Sequence, residues 1–299
     1  MTHTGSPPTL LSPLGVLAVR GPDARKFLNG QVSQDVLGLA ADRVELAGLH
    51  NPQGRLIALL RLVPMGPEDI LCVLPRALLP ETLATLRKYV LRAKANLVDE
   101  SATWLIEGLT GDPSLPTAPG SARAEGSTIL WRHAADGRVI RLRPSSVDTA
   151  SPTATTEAAL AAWQLADIVV GLPELDASTR GEFVAQMLNL DALGGISFTK
   201  GCYTGQEVIA RAHYRGRVKR RAQRFRLSEG SLALQPAQKV RLLVGGATRS
   251  AQIINVAQGP EGTECLAVTS FDAAPSDAST NETPTIKVVG LPMGYALPD

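Results

Sequence analysis

Between residues 15 and 109 the apolar positions change period several times, and that alternation constrains the chain more than any other feature. Gly15–Arg20 is a short run of strand character. Gly21-Pro22-Asp23 then opens a helix, proline suiting a first turn whose amides go unpaired in any case. This helix runs through Phe27 and Leu28 to about Asn29. Arg43–Leu49 and Arg55–Val63 are β-rich and flank the turn His50-Asn51-Pro52-Gln53-Gly54. Asp69–Leu74 is another strand. From Arg76 to Leu91, the residues Leu79, Leu83, Leu86 and Val90 fall on one helical face. Strand character returns at Leu97-Val98 and Thr103–Leu109. The order β-α-β-β-α-β is that of a ferredoxin-like unit, so the fold class expected is α+β.

Composition shifts after residue 109. Residues 110–127 are rich in Pro, Gly, Ser and Ala and read as a loop or linker. Ile129–His133 and Arg138–Arg143 suit a hairpin around Asp136-Gly137, and residues 145–156 are again Ser/Thr/Ala-rich. A helix is expected from Glu157 to Val169, carrying Trp163 and stopping at Gly171 and Pro173. Beyond residue 217 strands dominate: Val218–Leu227, Lys239–Val244, Ser250–Val256 and Cys265–Thr269, with glycine turns between them. That region reads as a small β-barrel or sandwich, and residues 272–284 as a polar loop. The organisation expected is a ferredoxin-like unit at 1–109, a second α+β unit at 110–217 and a C-terminal β-barrel at 218–299. With 299 residues and 44% apolar content, such units can bury a sizeable core.

Several classes of function drop out. Apolar runs such as Leu56–Leu60 are too short to span a bilayer. The first twenty residues lack a basic segment followed by a long apolar one, so a cytoplasmic location is expected. Three cysteines (Cys72, Cys202, Cys265) without a CxxC pair support neither a disulfide framework nor a zinc ribbon. Walker A, GxGxxG and GxSxG motifs are all missing from the sequence, which argues against nucleotide-dependent and α/β-hydrolase chemistry. Scattered histidines and one thiol make a poor metal set, so no metal site is expected.

The densest chemistry lies in KGCYTGQE at 200–207 and the basic stretch behind it. Thr204 and Glu207 have the spacing of a capping box, which would start a helix two residues after Cys202. A helix start behaves as partial positive charge and the Lys200 ammonium adds to it, so both would favour thiolate over thiol. Gly201 and Gly205 would allow close backbone approach. The same residues also suit a small buried cysteine beside a solvated lysine. From Lys200 to Arg226 there are nine Lys/Arg against one acid, Glu207, in a chain whose net charge is +2. That concentration favours a polyanionic partner (RNA phosphate, a polyglutamyl tail or an acidic protein). Strand alternation, on the other hand, would turn Arg217, Lys219 and Arg221 outward to solvent.

KGCYTGQE (200–207), preceded by QMLNLDALGGISF (186–198) and followed by R-x-x-x-R-G-x-x-K-R (211–220), resembles the YgfZ family of folate-binding proteins, relatives of the glycine-cleavage T-protein aminomethyltransferase. RGPDARKFLNGQVSQDV (20–36), HNPQGRL (50–56) and AAWQLADIVVGLPEL (161–175) extend the resemblance over nearly the whole chain. The resemblance implies three units around a central folate channel, with tetrahydrofolate or a one-carbon derivative as ligand. It also implies a role in assembly or repair of [4Fe–4S] enzymes, including those that modify tRNA, with iron–sulfur client or carrier proteins as partners. Cys202 would then be the working thiol, supported by Lys200, Gly201, Tyr203, Gly205, Gln206, Glu207 and Arg211, and Trp163 would contact folate. A second folate-associated tryptophan of the family aligns with Leu14 here, and a typical proline with Ala185. An accessory factor is expected rather than an enzyme. The alternatives are a tetrahydrofolate-dependent aminomethyltransferase, or a tRNA-binding module using the basic 211–226 segment.

Overall fold

The computed structural model describes residues 7–146, 156–216, 218–228, 233–270 and 283–298. In chain order the elements are β1 (Thr9–Leu10), β2 (Leu14–Arg20), α1 (Ala24–Asn29), β3 (Glu45–His50), β4 (Leu56–Pro64), β5 (Asp69–Pro75), α2 (Leu79–Val90), β6 (Asn96–Asp99), β7 (Trp104–Leu109), β8 (Ala122–Glu125), β9 (Thr128–Arg132) and β10 (Val139–Pro144). They continue with α3 (Glu157–Val170), α4 (Gln206–Tyr214), β11 (Arg220–Leu227), β12 (Lys239–Val244), β13 (Ala247–Gly259), β14 (Gly262–Ser270) and β15 (Thr285–Leu291). The chain forms two compact units, each assembled from three separate stretches. The first comprises Met1–His50, Ile57–Leu160 and Gly194–Thr204; the second Asn51–Leu56, Ala161–Leu193 and Gly205–Asp299.

The first unit holds two five-stranded sheets. One has the order β3-β4-β5-β2-β6. Taken as β2, β4, β5 and β6, its strands run fourth-first-third-second with antiparallel neighbours, the ferredoxin-like arrangement, and β3 extends its edge. Every residue of β4 is buried, which explains why LIALLRLVP is nearly all apolar instead of alternating: both of its faces are covered. The other sheet, β1-β7-β10-β9-β8, contains the expected hairpin, with Val139–Leu142 paired to Arg132–Ile129. Here β8 corrects the reading of 110–127 as wholly loop. ARAE is only four residues long with no large apolar side chain and no buried position, and becomes a strand by pairing at the sheet edge with β9. Glu107, only 4% exposed, is stabilised on β7 by Arg141 and Arg143 across the ladder.

In the second unit β11-β14-β13-β12-β15 close into a barrel. Its core includes Phe225, Leu242, Ile253, Ala267 and Val288. Gly245 and Gly246 both adopt positive φ in the two-residue β12–β13 turn, as such a hairpin requires. The fifth barrel strand, β15, lies beyond the strands anticipated, although its alternating burial at Ile286 and Val288 follows the usual period of two. Closing the barrel through β15 pairs it parallel to β12 and antiparallel to β11. Arg221 departs from expectation. Phe225 and Leu227 point into the barrel and Arg221 shares their parity, so it is 2% exposed and turned inward. There it binds Asp191 through two hydrogen bonds of 2.9 and 2.8 Å. Arg217, most of the 145–156 stretch and most of the 272–284 loop fall outside the described residues. Among the described residues no helix is long and apolar enough to cross a membrane.

Candidate functional site

In the first unit the motif loop is held by the segment that follows α1. Asn29 closes its own turn by accepting the Val36 amide on its side-chain oxygen at 2.9 Å. The resulting loop turns three backbone carbonyls toward one point, and Lys200 Nζ donates to all three: Asn29 O at 2.5 Å, Val32 O at 2.8 Å and Gln34 O at 2.8 Å. An ammonium has three donors and no acceptor, so this geometry uses its full capacity. Burial pulls Lys200 down to about 8, while the Asp35 carboxylate works in the opposite direction. Ser33 adds a second anchor. Its hydroxyl donates to Gly195 O at 2.6 Å and accepts from the Gly48 amide at 2.8 Å. Gln34 donates to Gly194 O at 2.7 Å. Lys200 therefore neither floats in solvent nor has an N–H to spare for a thiolate. It is a staple that fixes the 194–204 stretch to the 29–36 loop.

Cys202 stands on this stapled stretch and is exposed, whereas Cys72 and Cys265 are buried. Burial pushes both of those thiols up to about 12. Gly201 beside it faces open space, with no heavy atom near the position a side chain would take. Tyr203 is half-buried, its phenol pushed up to about 12, and the Lys200 ammonium lies 5.1 Å from its ring centroid. Native protein is expected to show one fast-reacting thiol per chain with a chromogenic disulfide reagent, and three in denaturant. A Cys202→Ser variant should show none until unfolded; a fast native thiol in that variant would contradict this exposure pattern.

His50, one of the scattered histidines to which the sequence assigns no site role, lies beside the motif. It ends β3, is 1% exposed, and its ring lies 6.1 Å from that of Tyr203. Neither ring nitrogen meets a hydrogen-bonding partner among the described residues. Burial lowers its pKa to about 3, so it is a neutral imidazole at physiological pH. The signal was its place at the head of HNPQGRL, immediately before a turn that also contacts the motif.

That second contact lies in the other unit. Gly54 takes a positive φ of 72°, and a side chain there would run into Val208 Cβ at 2.7 Å and Gly205 O at 3.2 Å. The turn is closed by Asn51 accepting the Arg55 amide at 2.9 Å, and Arg55 in turn donates to Glu182 O. Helix α4 starts later than its spacing predicts. Gly205 is the N-cap, at φ 81°, and no side chain caps the first turn. The Thr204–Glu207 capping box is thus not formed, because the left-handed Gly205 delays the helix by one residue. Exposed Glu207 still favours that helix start by its charge. Gln206 is the first helical residue, Arg211 is exposed on the last turn, and Gln186 holds the helix by donating to Ile209 O at 2.7 Å. Trp163 is half-buried on α3. Leu14 opens β2 half-buried, and Ala185 is fully buried in a 3₁₀ turn. Among the described residues no three His, Cys, Asp or Glu side chains gather as a metal set.

The fold, an α+β core with a C-terminal five-stranded barrel, is of the aminomethyltransferase T type. Superposition on the crystal structure of glycine cleavage system aminomethyltransferase T from Bartonella henselae gives a TM-score of 0.66 at 14% identity, over 89% of this chain and 78% of that one. Sequence narrows the class further. The chain is 30% identical over 300 residues to the tRNA-modifying protein YgfZ of Serratia proteamaculans, covering 94% of this chain and 90% of that relative. It is 35% identical over 221 residues to its counterpart from Photorhabdus laumondii, covering 69% of this chain and 66% of the relative. The chain belongs to the YgfZ family of tRNA-modifying proteins. No family model matches it.

Proposed function

We propose that this chain is a tetrahydrofolate-binding accessory factor for the assembly or repair of [4Fe–4S] enzymes, tRNA-modifying ones among them, with Cys202 as its working thiol. The observation that carries this reading is the contrast among the three cysteines. Two are sealed in the core, and the third is exposed on a loop held by Lys200 and Ser33. A thiol so placed can be met by a partner protein without the loop having to order first. One thiolate cannot complete the coordination of an iron–sulfur cluster. The remaining ligands would come from the client or carrier protein, and the cluster is cargo.

Trp163 suits the proposed folate contact. Half-buried on α3, its indole is anchored yet keeps accessible surface on which a flat heterocycle can stack. When bound, tetrahydrofolate would supply a carrier for one-carbon units; the part assigned to this chain is to bind and orient it. Aminomethyl transfer is not favoured by any feature of KGCYTGQE, since a shared fold does not transfer chemistry.

The test is complementation. In a strain lacking this protein, Cys202→Ser is expected to leave a [4Fe–4S] enzyme as inactive as the empty vector does, while accumulating to the wild-type level. Full restoration by Cys202→Ser would overturn the assignment of the thiol.

A further inference from the structure

The basic stretch behind the motif divides into two sets of side chains. One set is used up by the fold. Arg221 is buried against Asp191, Arg224 pairs with Glu264 at 2.7 Å, Arg226 pairs with Glu261, and Arg220 donates to Val268 O. The other set is Arg211, Arg215 and Lys219. All three are exposed, and none makes an ion pair among the described residues. Arg211 and Tyr214 stand three residues apart on the last turn of α4, so they are neighbours on its surface, and Arg215 follows as its C-cap. Tyr214 is 66% exposed and is braced edge-on by the His213 ring at 4.6 Å between centroids.

Basic residues at a helix C-terminus have an ordinary use, since they offset the negative end of the helix. That accounts for Arg211 and Arg215. It does not account for Lys219 beyond the helix, nor for a large aromatic ring held open to water between two arginines. Cations alternating with a braced, accessible ring are what a single-stranded polynucleotide needs: phosphates meet the cations and an unstacked base meets the ring. An acidic peptide would use the charges and leave the ring idle.

We infer that the exposed end of α4 and the residues after it, Arg211, Tyr214, Arg215 and Lys219, form a binding surface for single-stranded RNA. The choice of RNA over DNA rests on the proposed function, through the tRNA-modifying relatives; the surface itself rests on the side chains. It is narrower than the basic 211–226 segment as a whole, because the β11 arginines are committed to carboxylates and a carbonyl.

Fluorescence anisotropy with the full chain and a labelled mixed-sequence RNA of about 12 nucleotides tests this. Binding is expected to weaken from about 50 to about 200 mM salt with a log–log slope near 2, roughly 0.7 per cation. Arg215→Gln and Lys219→Gln should each lower that slope by about 0.7. Tyr214→Ala should weaken binding roughly tenfold and leave the slope unchanged, which separates stacking from charge. Cys202→Ser should bind RNA like the wild type, so failure of the thiol reading would leave this surface standing. The inference is overturned by no binding at the lowest salt, or by variants that bind like the wild type. It is equally overturned if duplex RNA or single-stranded DNA of the same sequence binds as tightly, or if polyglutamate competes as well as unlabelled RNA.

Discussion

Replacing Lys200 by methionine is expected to lower the unfolding free energy by about 3 kcal/mol, measured by urea denaturation at neutral pH. The side chain stays unbranched and flexible, is shorter by one atom, and loses its donors, so three carbonyls that now share one ammonium would each need another partner. Hydrogen bonds from a charged donor contribute roughly 1.5–3 kcal/mol each, and stranded acceptors add a penalty. Because Lys200 is only half-buried, water can reach part of the gap, and the expected total is closer to that of one or two such bonds than three. Arginine should not rescue the loss. A planar fork directs its N–H groups outward in one plane and cannot converge on three carbonyls around a point. Hydrogen exchange should rise at residues 194–203 in both variants. A Lys200→Met protein within about 0.5 kcal/mol of the wild type would mean that the staple does not hold the loop.

The second large effect is acid sensitivity from His50. Its folded pKa is lowered to about 3 from an ordinary 6.5, because burial disfavours the cation. Between those values the unfolded chain takes up a proton that the folded chain refuses. Unfolding is therefore favoured as pH falls: the stability is complete above about 6.5 and drains away toward 3. At about 1.36 kcal/mol per pH unit, lowering the pH from about 7.5 to about 4.5 should remove about 3 kcal/mol through this one group. Tyr203, against its ring, stays protonated over that range and offers no compensating charge. His50→Phe should be close to neutral at pH 7.5, since two buried nitrogens without partners are replaced by carbon, and should lose about 3 kcal/mol less on acidification. The same acid-induced loss in the variant would place the sensitivity elsewhere.

Much of the fold was legible because it rests on local pattern. The ferredoxin-like sheet follows from the runs at 15–20, 55–63 and 69–74 with the Leu79–Leu86 helical face between strands, and the barrel from its alternating strands and paired glycines. Errors arose where a residue's role is set by something distant in the chain. Lys200 reads as a charge beside the thiol, or as a solvated cation, until the carbonyls near residue 30, some 170 positions earlier, are placed around it. Alternation with Arg217 and Lys219 turns Arg221 outward in the sequence, whereas Phe225 and Leu227 on the same strand face set the phase in the fold. At Thr204 the error was local: spacing allowed a capping box, but Gly205 took a left-handed conformation that only the folded chain reveals. For His50 the residue type carries no signal, because burial without partners cannot be seen in it, and only its place at the head of HNPQGRL points to the site. KGCYTGQE was found readily as a motif, and its division of labour was not: the lysine holds, the cysteine is displayed, and the tyrosine lies beside a buried ring.

The interleaving of the two compact units has a consequence for how the protein is made. The chain passes between them five times, and the six residues 51–56 are an excursion with first-unit sequence on either side. Residues 194–204, which hold the staple, emerge from a ribosome long after the loop they fasten. Vectorial synthesis therefore cannot finish one unit before beginning the next, as it does for beads on a string. A nascent chain stalled before Lys200 would carry the first unit with its carbonyls still unclaimed, and release from that waiting state would come late and all at once.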